Sequence, residues 1–139
     1  MNCKVYKAAE LPEHERVWIA HRLTKAGSDF NAKLVYWTYG RGAAVESDGS
    51  IAVVYDHGEI VGWARTETWR GYDTLEAFVA PEHRGRGVAA FAASGLAAST
   101  LNANGGSVAV FAPSMMLVAR RAGLHPELFE RVDGEWRAA

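Results

Sequence analysis

The run from Asp73 to Leu101 constrains this chain more than any other stretch. Leu75, Ala77 and Val79 alternate with Thr74, Glu76 and Phe78, which is the two-residue period of a strand. Pro81-Glu82-His83-Arg84-Gly85-Arg86-Gly87 breaks the alternation, and Val88 to Leu101 is dominated by Ala, Val, Phe and Leu. The order is therefore strand, Pro-initiated turn, Arg/Gly loop, and a helix packed on a sheet. Amides in the first turn of a helix have no intrahelical acceptors and sit at the positive end of the helix dipole. Glycines at Gly85 and Gly87 let the backbone approach a ligand where a side chain would block it. Such a turn is a ready anion site, with a pyrophosphate as its usual guest, and Arg84 and Arg86 add charge that can pair with phosphate oxygens.

A solvated basic turn that only caps a helix is the plainest alternative. A dinucleotide fingerprint is another, because Gly85-Arg86-Gly87-Val88-Ala89-Ala90 matches G-x-G-x-x-A. That motif requires an acidic residue about 20 positions on, ending the next strand. Here the next strand, Ser107 to Phe111, is followed by Ala112-Pro113-Ser114, and the motif lies past the middle of the chain, so this reading fails. Val79-x-Pro81-Glu82-x-Arg84-Gly85-Arg86-Gly87-Val88-Ala89 resembles the acyl-CoA-binding signature of the GNAT superfamily of N-acetyltransferases, whose core pattern is met by Arg84, Gly87 and Ala89. The resemblance implies that the loop amides hold the pyrophosphate of acetyl-CoA, and that the preceding strand splays from its neighbour to admit the pantetheine arm. It implies Phe78, Val79, Arg84, Gly85, Arg86, Gly87, Val88 and Ala89 as cofactor-binding residues, with the Val79 amide polarising the thioester carbonyl.

A chain of 139 residues reads as one domain, residues 1–139, large enough for its own core. A net charge of -1 gives no global attraction to nucleic acid or to a membrane surface. The single cysteine, Cys3, excludes an internal disulfide framework and fits a reducing compartment. It reads as a small strand residue, not a nucleophile. No apolar h-region follows Met1-Asn2-Cys3-Lys4, and the apolar run near residue 90 is too short and too rich in Ala, Gly and Ser to span a bilayer. The expected location is cytoplasmic.

In chain order, Cys3–Lys7 reads as a strand, and Pro12 opens a helix with Val17, Trp18, His21 and Leu23 or Thr24 as its apolar stripe. His14 and His21 stand two helical turns apart, about 10 Å, too far for one metal ion; no metal is expected. A second helix is expected from Phe30 to about Trp37, followed by the aromatic and glycine-punctuated Tyr36-Trp37-Thr38-Tyr39-Gly40-Arg41-Gly42, read as pocket wall or core. Ile51–Tyr55 and Ile60–Thr68 read as a hairpin around Asp56-His57-Gly58-Glu59, and Gly62 marks a bulge or a close backbone approach. After the helix, Asn102-Ala103-Asn104-Gly105-Gly106 is a stop signal, and the crossover makes strand Ser107–Phe111 parallel to the central one. A helix follows Pro113 and ends at Gly123, and a last hairpin turns at Asp133-Gly134. The class is α/β (α+β), a GNAT-like mixed sheet in the order β-α-α-β-β-β-α-β-α-β-β with helices on both faces.

Acyl transfer to an amine needs a base to strip the protonated nitrogen, and stabilisation of an oxyanion and a leaving thiolate. Glu76, on the strand entering the loop, is the first candidate base by the resemblance, with Asp73 in reserve. The thiolate's usual proton donor, a Tyr in the last helix four residues before its Gly, is Ala119 here. The Asn that often opens that helix region falls near Ala112. Ser114, Tyr72 or a water could substitute. Glu46, Asp48, Glu67, Asp73 and Glu76 would suit a cationic acceptor such as a lysine, an N-terminus or a polyamine.

The leading expectation is an acetyl-CoA-dependent N-acetyltransferase acting on a primary amine of a protein or small molecule. A catalytically silent acyl-CoA-binding module is the alternative that Ala119 and Ala112 motivate. Nucleic-acid modification is a third reading, disfavoured by the balanced charge. A Trp-rich hairpin around Trp63 and Trp69, read as exposed, would allow strand-edge pairing into a homodimer.

Overall fold

The computed structural model describes residues 1–26 and 49–139 of the chain, the side chains of residues 20–26 excepted. The expected second helix, the aromatic stretch at Tyr36 to Gly42, and Glu46 and Asp48 lie outside the described residues. Strand β1 (Asn2–Lys7) leads through a short 3-10 turn into helix α1 (Glu13–Ala26). Strands β2 (Ser50–Asp56) and β3 (Glu59–Thr66) form the expected hairpin, and β4 (Thr68–Trp69) and β5 (Tyr72–Thr74) a second, shorter one. After β6 (Glu76–Val79) comes a 3-10 turn at Pro81–His83, the loop, and helix α2 (Val88–Leu96), which runs on through a wider π-helical turn (Ala97–Leu101) and a tighter 3-10 turn to Asn104. Strand β7 (Ser107–Val110), helix α3 (Pro113–Arg121), and the hairpin of β8 (His125–Val132) and β9 (Glu135–Ala138) complete the chain.

Two sheets result, ordered β1-β2-β3-β6 and β4-β5-β7-β8-β9. They are joined by one run of chain, Tyr72 to Val79, that changes partner at Leu75. Its first half pairs in parallel with β7, Asp73 opposite Val108 and Thr74 opposite Ala109. Its second half pairs antiparallel with β3, Trp63 opposite Phe78 and Arg65 opposite Glu76. This is the mixed sheet expected from the sequence, with parallel pairs where a helix crosses over (β5–β7 and β7–β8) and antiparallel pairs elsewhere.

Helix α2 lies on one face of the sheet. Its Ala92, Ala93, Leu96 and Ala97 are buried against Ala52, Val54, Val61, Leu75, Val108 and Val110. Alanines on the buried stripe let the helix come close, and two glycines mark the closest points. A Cβ at Gly62 would lie 2.7 Å from Val88 Cγ1 and 2.9 Å from the Phe78 carbonyl oxygen, and one at Gly95 would lie 2.8 Å from Cys3 Sγ. Gly62 therefore serves the close approach, and the β2–β3 register also shifts beside it, between Val54 and Tyr55. Cys3 is a packing residue under α2, and burial pushes its thiol pKa up, which removes thiolate character.

Helix α1 covers the opposite face, where Leu11 and Ile19 join Ile51, Val53, Trp63 and Phe78 in a second apolar cluster with Trp18 at its side. The stripe expected on α1 needs correction at Val17, which is exposed, while Ile19 carries the buried position. Trp18 does face inward, edge-on to Trp63 at 6.3 Å. Trp63 corrects a second expectation. It is fully buried, stacked on Phe78 at 4.8 Å, and Trp69 packs edge-on to Phe111 and Phe129 at 5.0 and 5.1 Å. The exposed indole pair on which strand-edge dimerisation would rest is absent, because the sheet faces need these rings as core.

Among the described residues no helix is long and apolar enough to cross a membrane, and no group of three or more His, Cys, Asp or Glu could hold a metal ion. The tight contact at Gly62 has a measurable consequence. Gly62→Ala drives a methyl into the Phe78 carbonyl and should destabilise the fold by about 1–3 kcal/mol, read as a lowered midpoint in urea unfolding.

Candidate functional site

The site begins where the central strand changes partner. In an antiparallel ladder, residues that exchange bonds with the neighbour alternate with residues whose N–H and C=O point to the other edge. Ala80 N–H donates to Val61 O at 3.0 Å, so by alternation Phe78 bonds to β3, while Ala77 and Val79 turn their amides away from it. Leu75 points the same way and donates to Ala109 O of β7 at 3.0 Å. Beyond Leu75, β7 no longer pairs with the strand, so among the described residues the amides of Ala77 and Val79 face a gap with no backbone acceptor. A splayed pair of parallel strands with free edge amides is a slot for an extended, hydrogen-bonding chain.

The loop closes one end of this slot. The 3-10 turn at Pro81–His83 and the bond from Arg84 N–H to Pro81 O at 3.4 Å fold the chain back. Gly85 and Gly87 then adopt left-handed conformations, with φ of 79° and 77°. Gly87 is the N-cap of α2; its carbonyl accepts from Phe91 N–H at 3.0 Å, and no side chain caps the helix. Among the described residues the amides of Gly85, Arg86 and Gly87 donate to no backbone carbonyl, and those of Val88, Ala89 and Ala90 are the unpaired first turn of the helix. Next to them lies a cleft of about 220 Å³ lined by Val79, Arg84, Gly85, Gly87, Val88 and Ala89, with His83, Val118 and Arg121 on its rim and far wall. Free amides, a helix dipole and two guanidinium groups around one cleft make a site for a polyanion.

Six of the eight residues expected to bind cofactor therefore line one cleft, and two are placed elsewhere. Phe78 turns to the other face of the strand, stacked under Trp63. Arg86 reaches across to the β2–β3 hairpin, where Nη2 donates to Asp56 Oδ2 at 3.1 Å and Nη1 meets His83 Nδ1 at 2.8 Å. Arg84 stays at the cleft, its Nε donating to Val79 O at 3.2 Å. Arg121 and Val118 were not singled out from the sequence. The signal was present, because they lie three apart on α3 and so share a face, but nothing in the sequence says that this face looks onto α2.

The three candidate catalytic residues separate. Glu76 is on the slot-forming half of the strand, 5% exposed, with Oε2 accepting from Arg65 Nε at 2.9 Å. Asp73 lies on the paired half and accepts from Asn104 Nδ2 at 3.3 Å, at the far end of the α2 segment, roughly 25 Å of helix from the loop. Ser114 is exposed in the first turn of α3, just past the end of β7. Tyr72, the other hydroxyl considered, is hydrogen-bonded to Glu127, which holds its pKa above the ordinary phenol value, with burial adding to the shift. It is engaged with that carboxylate and sits in a ring cluster with Trp69 and Phe129. Ala119, where the resemblance expects a Tyr, is fully buried against the core.

The sequence model of the acetyltransferase (GNAT) family matches residues 11–112, well over half of the chain, and the chain belongs to that family. No curated protein and no solved structure matches it. Membership supports acyl-CoA-dependent acetyltransferase activity in broad terms, in a family that binds acetyl-CoA.

The placement of Arg86 can be checked by titration. Its hydrogen bond is the largest cause holding the Asp56 carboxyl below the usual range. Because the folded value is the lower one, the stabilisation from this pair is present above the unfolded carboxylate pKa and is lost as pH falls through the folded value. Arg86→Ala should raise the Asp56 pKa towards the ordinary carboxylate value in an NMR carboxyl titration, and leave acetyl-CoA affinity nearly unchanged.

Proposed function

We propose that the chain is a single-domain N-acetyltransferase that moves the acetyl group of acetyl-CoA to a primary amine, either a protein lysine or N-terminus or a small-molecule amine. The observation that carries this reading is the strand edge that starts at Leu75 and ends at Val79, which lines the same cleft as the start of α2, whose first amides have no backbone acceptor among the described residues. The diphosphate sits on the Gly85–Ala90 amides with Arg84 and Arg121 beside it, and the pantetheine arm lies in the slot, bonding to the strand edge at Ala77 and Val79. Acetyl-CoA supplies an activated thioester. The chain supplies its orientation, and the Val79 amide stabilises negative charge on the carbonyl oxygen.

Glu76 takes a proton from the amine, directly or through one water. The nitrogen lone pair then attacks the carbonyl carbon, the tetrahedral intermediate collapses with cleavage of the C–S bond, and the second proton on nitrogen passes, relayed by Ser114 or a water, to the leaving thiolate. The acceptor enters on the face that carries Glu76, and Glu67 adds negative charge there, which suits a cationic acceptor. Asp73 is set aside as base because it lies at the closed end of the slot. The protein acts in the cytoplasm, where acetyl-CoA and thiol-reducing conditions coincide.

A second reading, a catalytically silent acyl-CoA-binding module, has one specific observation in its favour: the buried methyl of Ala119 offers no proton to a leaving thiolate. The two readings part in one experiment. Acetyl-CoA is titrated into the protein calorimetrically, and free thiol release is then followed with a panel of amines. Tight binding with release supports the enzyme, binding without release supports the module, and no binding refutes both.

Arg84→Ala and Gly87→Glu should each weaken acetyl-CoA binding by tenfold or more, the second by placing a carboxylate and a strained left-handed side chain at the amides (about 1–2 kcal/mol of strain). Glu76→Gln should lower kcat by about 10²–10⁴-fold with binding of acetyl-CoA retained.

A further inference from the structure

Arg65 is fully buried, a costly place for a guanidinium unless it is paired and hydrogen-bonded. It sits directly opposite Glu76 in the β3–β6 ladder. Its Nε donates to Glu76 Oε2 at 2.9 Å, and its Nη2 donates to Glu67 Oε1 at 2.6 Å. One cation thus lies between two carboxylates, and the cluster carries a net charge of about -1 when all three are ionised.

The second carboxylate is itself fixed. Thr74 Oγ1 accepts from Glu67 N–H at 3.1 Å and donates to Glu67 O at 3.2 Å, clamping the backbone of Glu67 to the strand that carries Glu76. Around Glu76 the neighbouring rings Trp63 and Phe78 are apolar, and the next acid along the strand, Asp73, is bonded to Asn104. Among the described residues, Arg65 is the charged group bonded to Glu76 and Glu67 shares it, while the Arg84 guanidinium stands 5.9 Å over the Phe78 ring. Glu76 Oε1 is bonded to no described residue, and 7% of the side chain stays accessible.

We propose that Arg65 is a positioning residue for acyl transfer, holding Glu76 ionised and oriented with one oxygen free for the amine proton, and that Glu67 tempers this by sharing the guanidinium. The proposal rests on Glu76 being the base. The guanidinium divides its hydrogen bonds between the two acids, Nε to Glu76 and Nη2 to Glu67, so neither carboxylate has it alone. Opposite effects follow from the two neighbours. Loss of the guanidinium favours the protonated form of Glu76, whereas loss of the Glu67 charge favours the ionised form.

The test is the pH dependence of kcat for the full chain, with acetyl-CoA and two turned-over primary amines of different basicity. The acid limb that stays put when the acceptor is changed belongs to the enzyme. Arg65→Lys and Arg65→Met should move that limb to higher pH, the second further, and lower kcat at neutral pH by about tenfold or more. Glu67→Gln should move it to lower pH. Acetyl-CoA affinity, set at the other side of the strand, should change by less than about twofold in all three.

Should the Arg65 variants fail to fold, Glu67→Gln decides alone: a downward shift supports the proposal, and an unmoved limb overturns it. Where Glu76→Gln abolishes turnover but the limb ignores Arg65 and Glu67, the base stands and Arg65 is only structural. Where Glu76→Gln keeps its turnover and its limb, or no amine is turned over, the base reading itself has failed and the positioning role falls with it.

Discussion

A backbone amide that loses its ladder partner must find another acceptor, and this constraint organises the molecule. The central strand starts in parallel with β7 and ends antiparallel with β3, with Leu75 as the last residue bonded to β7. From there on, Ala77 and Val79 present N–H groups to a gap. The same strand then delivers the chain to a loop whose amides also lack backbone acceptors among the described residues, at the positive end of α2. Val79, at the end of the first set, and the loop that carries the second line one cleft. A ligand with an anionic head and an amide-bearing arm is the chemical complement of that arrangement.

The packing of α2 is what holds the two sets in register. Ala92, Ala93, Leu96 and Ala97 bring the helix close to the sheet, and Gly62 removes the Cβ that would push Val88 away. Val88 is both the first residue of the helix and a wall of the cleft, so the close contact at Gly62 also sets the distance between the helix start and the slot. Core packing and site geometry are therefore one problem here, solved by small residues.

The cations are distributed by their partners, not by their place in the motif. Arg84 remains at the cleft beside Val79, Arg121 joins it from α3, and Arg86, between the two motif glycines, ties the loop to Asp56 on the β2–β3 hairpin. Arg65 was not marked by any sequence pattern, yet it is the most deeply buried charge among the described residues and contacts the candidate base. Cross-strand pairing put it there, through a register that no local signal encodes.

The local rules were enough for the order of the described helices and longer strands, the two hairpins, the parallel crossover and the glycine-rich loop before α2, since each depends on neighbours in sequence: alternation, a turn dipeptide, a Pro, a glycine pair beside a helix start. They were also enough for the inert Cys3 and for the alternative readings of Gly62, both of which the fold realises. Which face of a strand or helix meets which partner was decided only in three dimensions. That is why Val17 and Trp63 exchange their expected places, why Asp73 and Glu76 part company although three residues apart, and why Arg121 rather than Arg86 lines the cleft. Local chemistry fixes what an element is; long-range register and helix docking, which depend on the summed burial of distant side chains, fix what it faces.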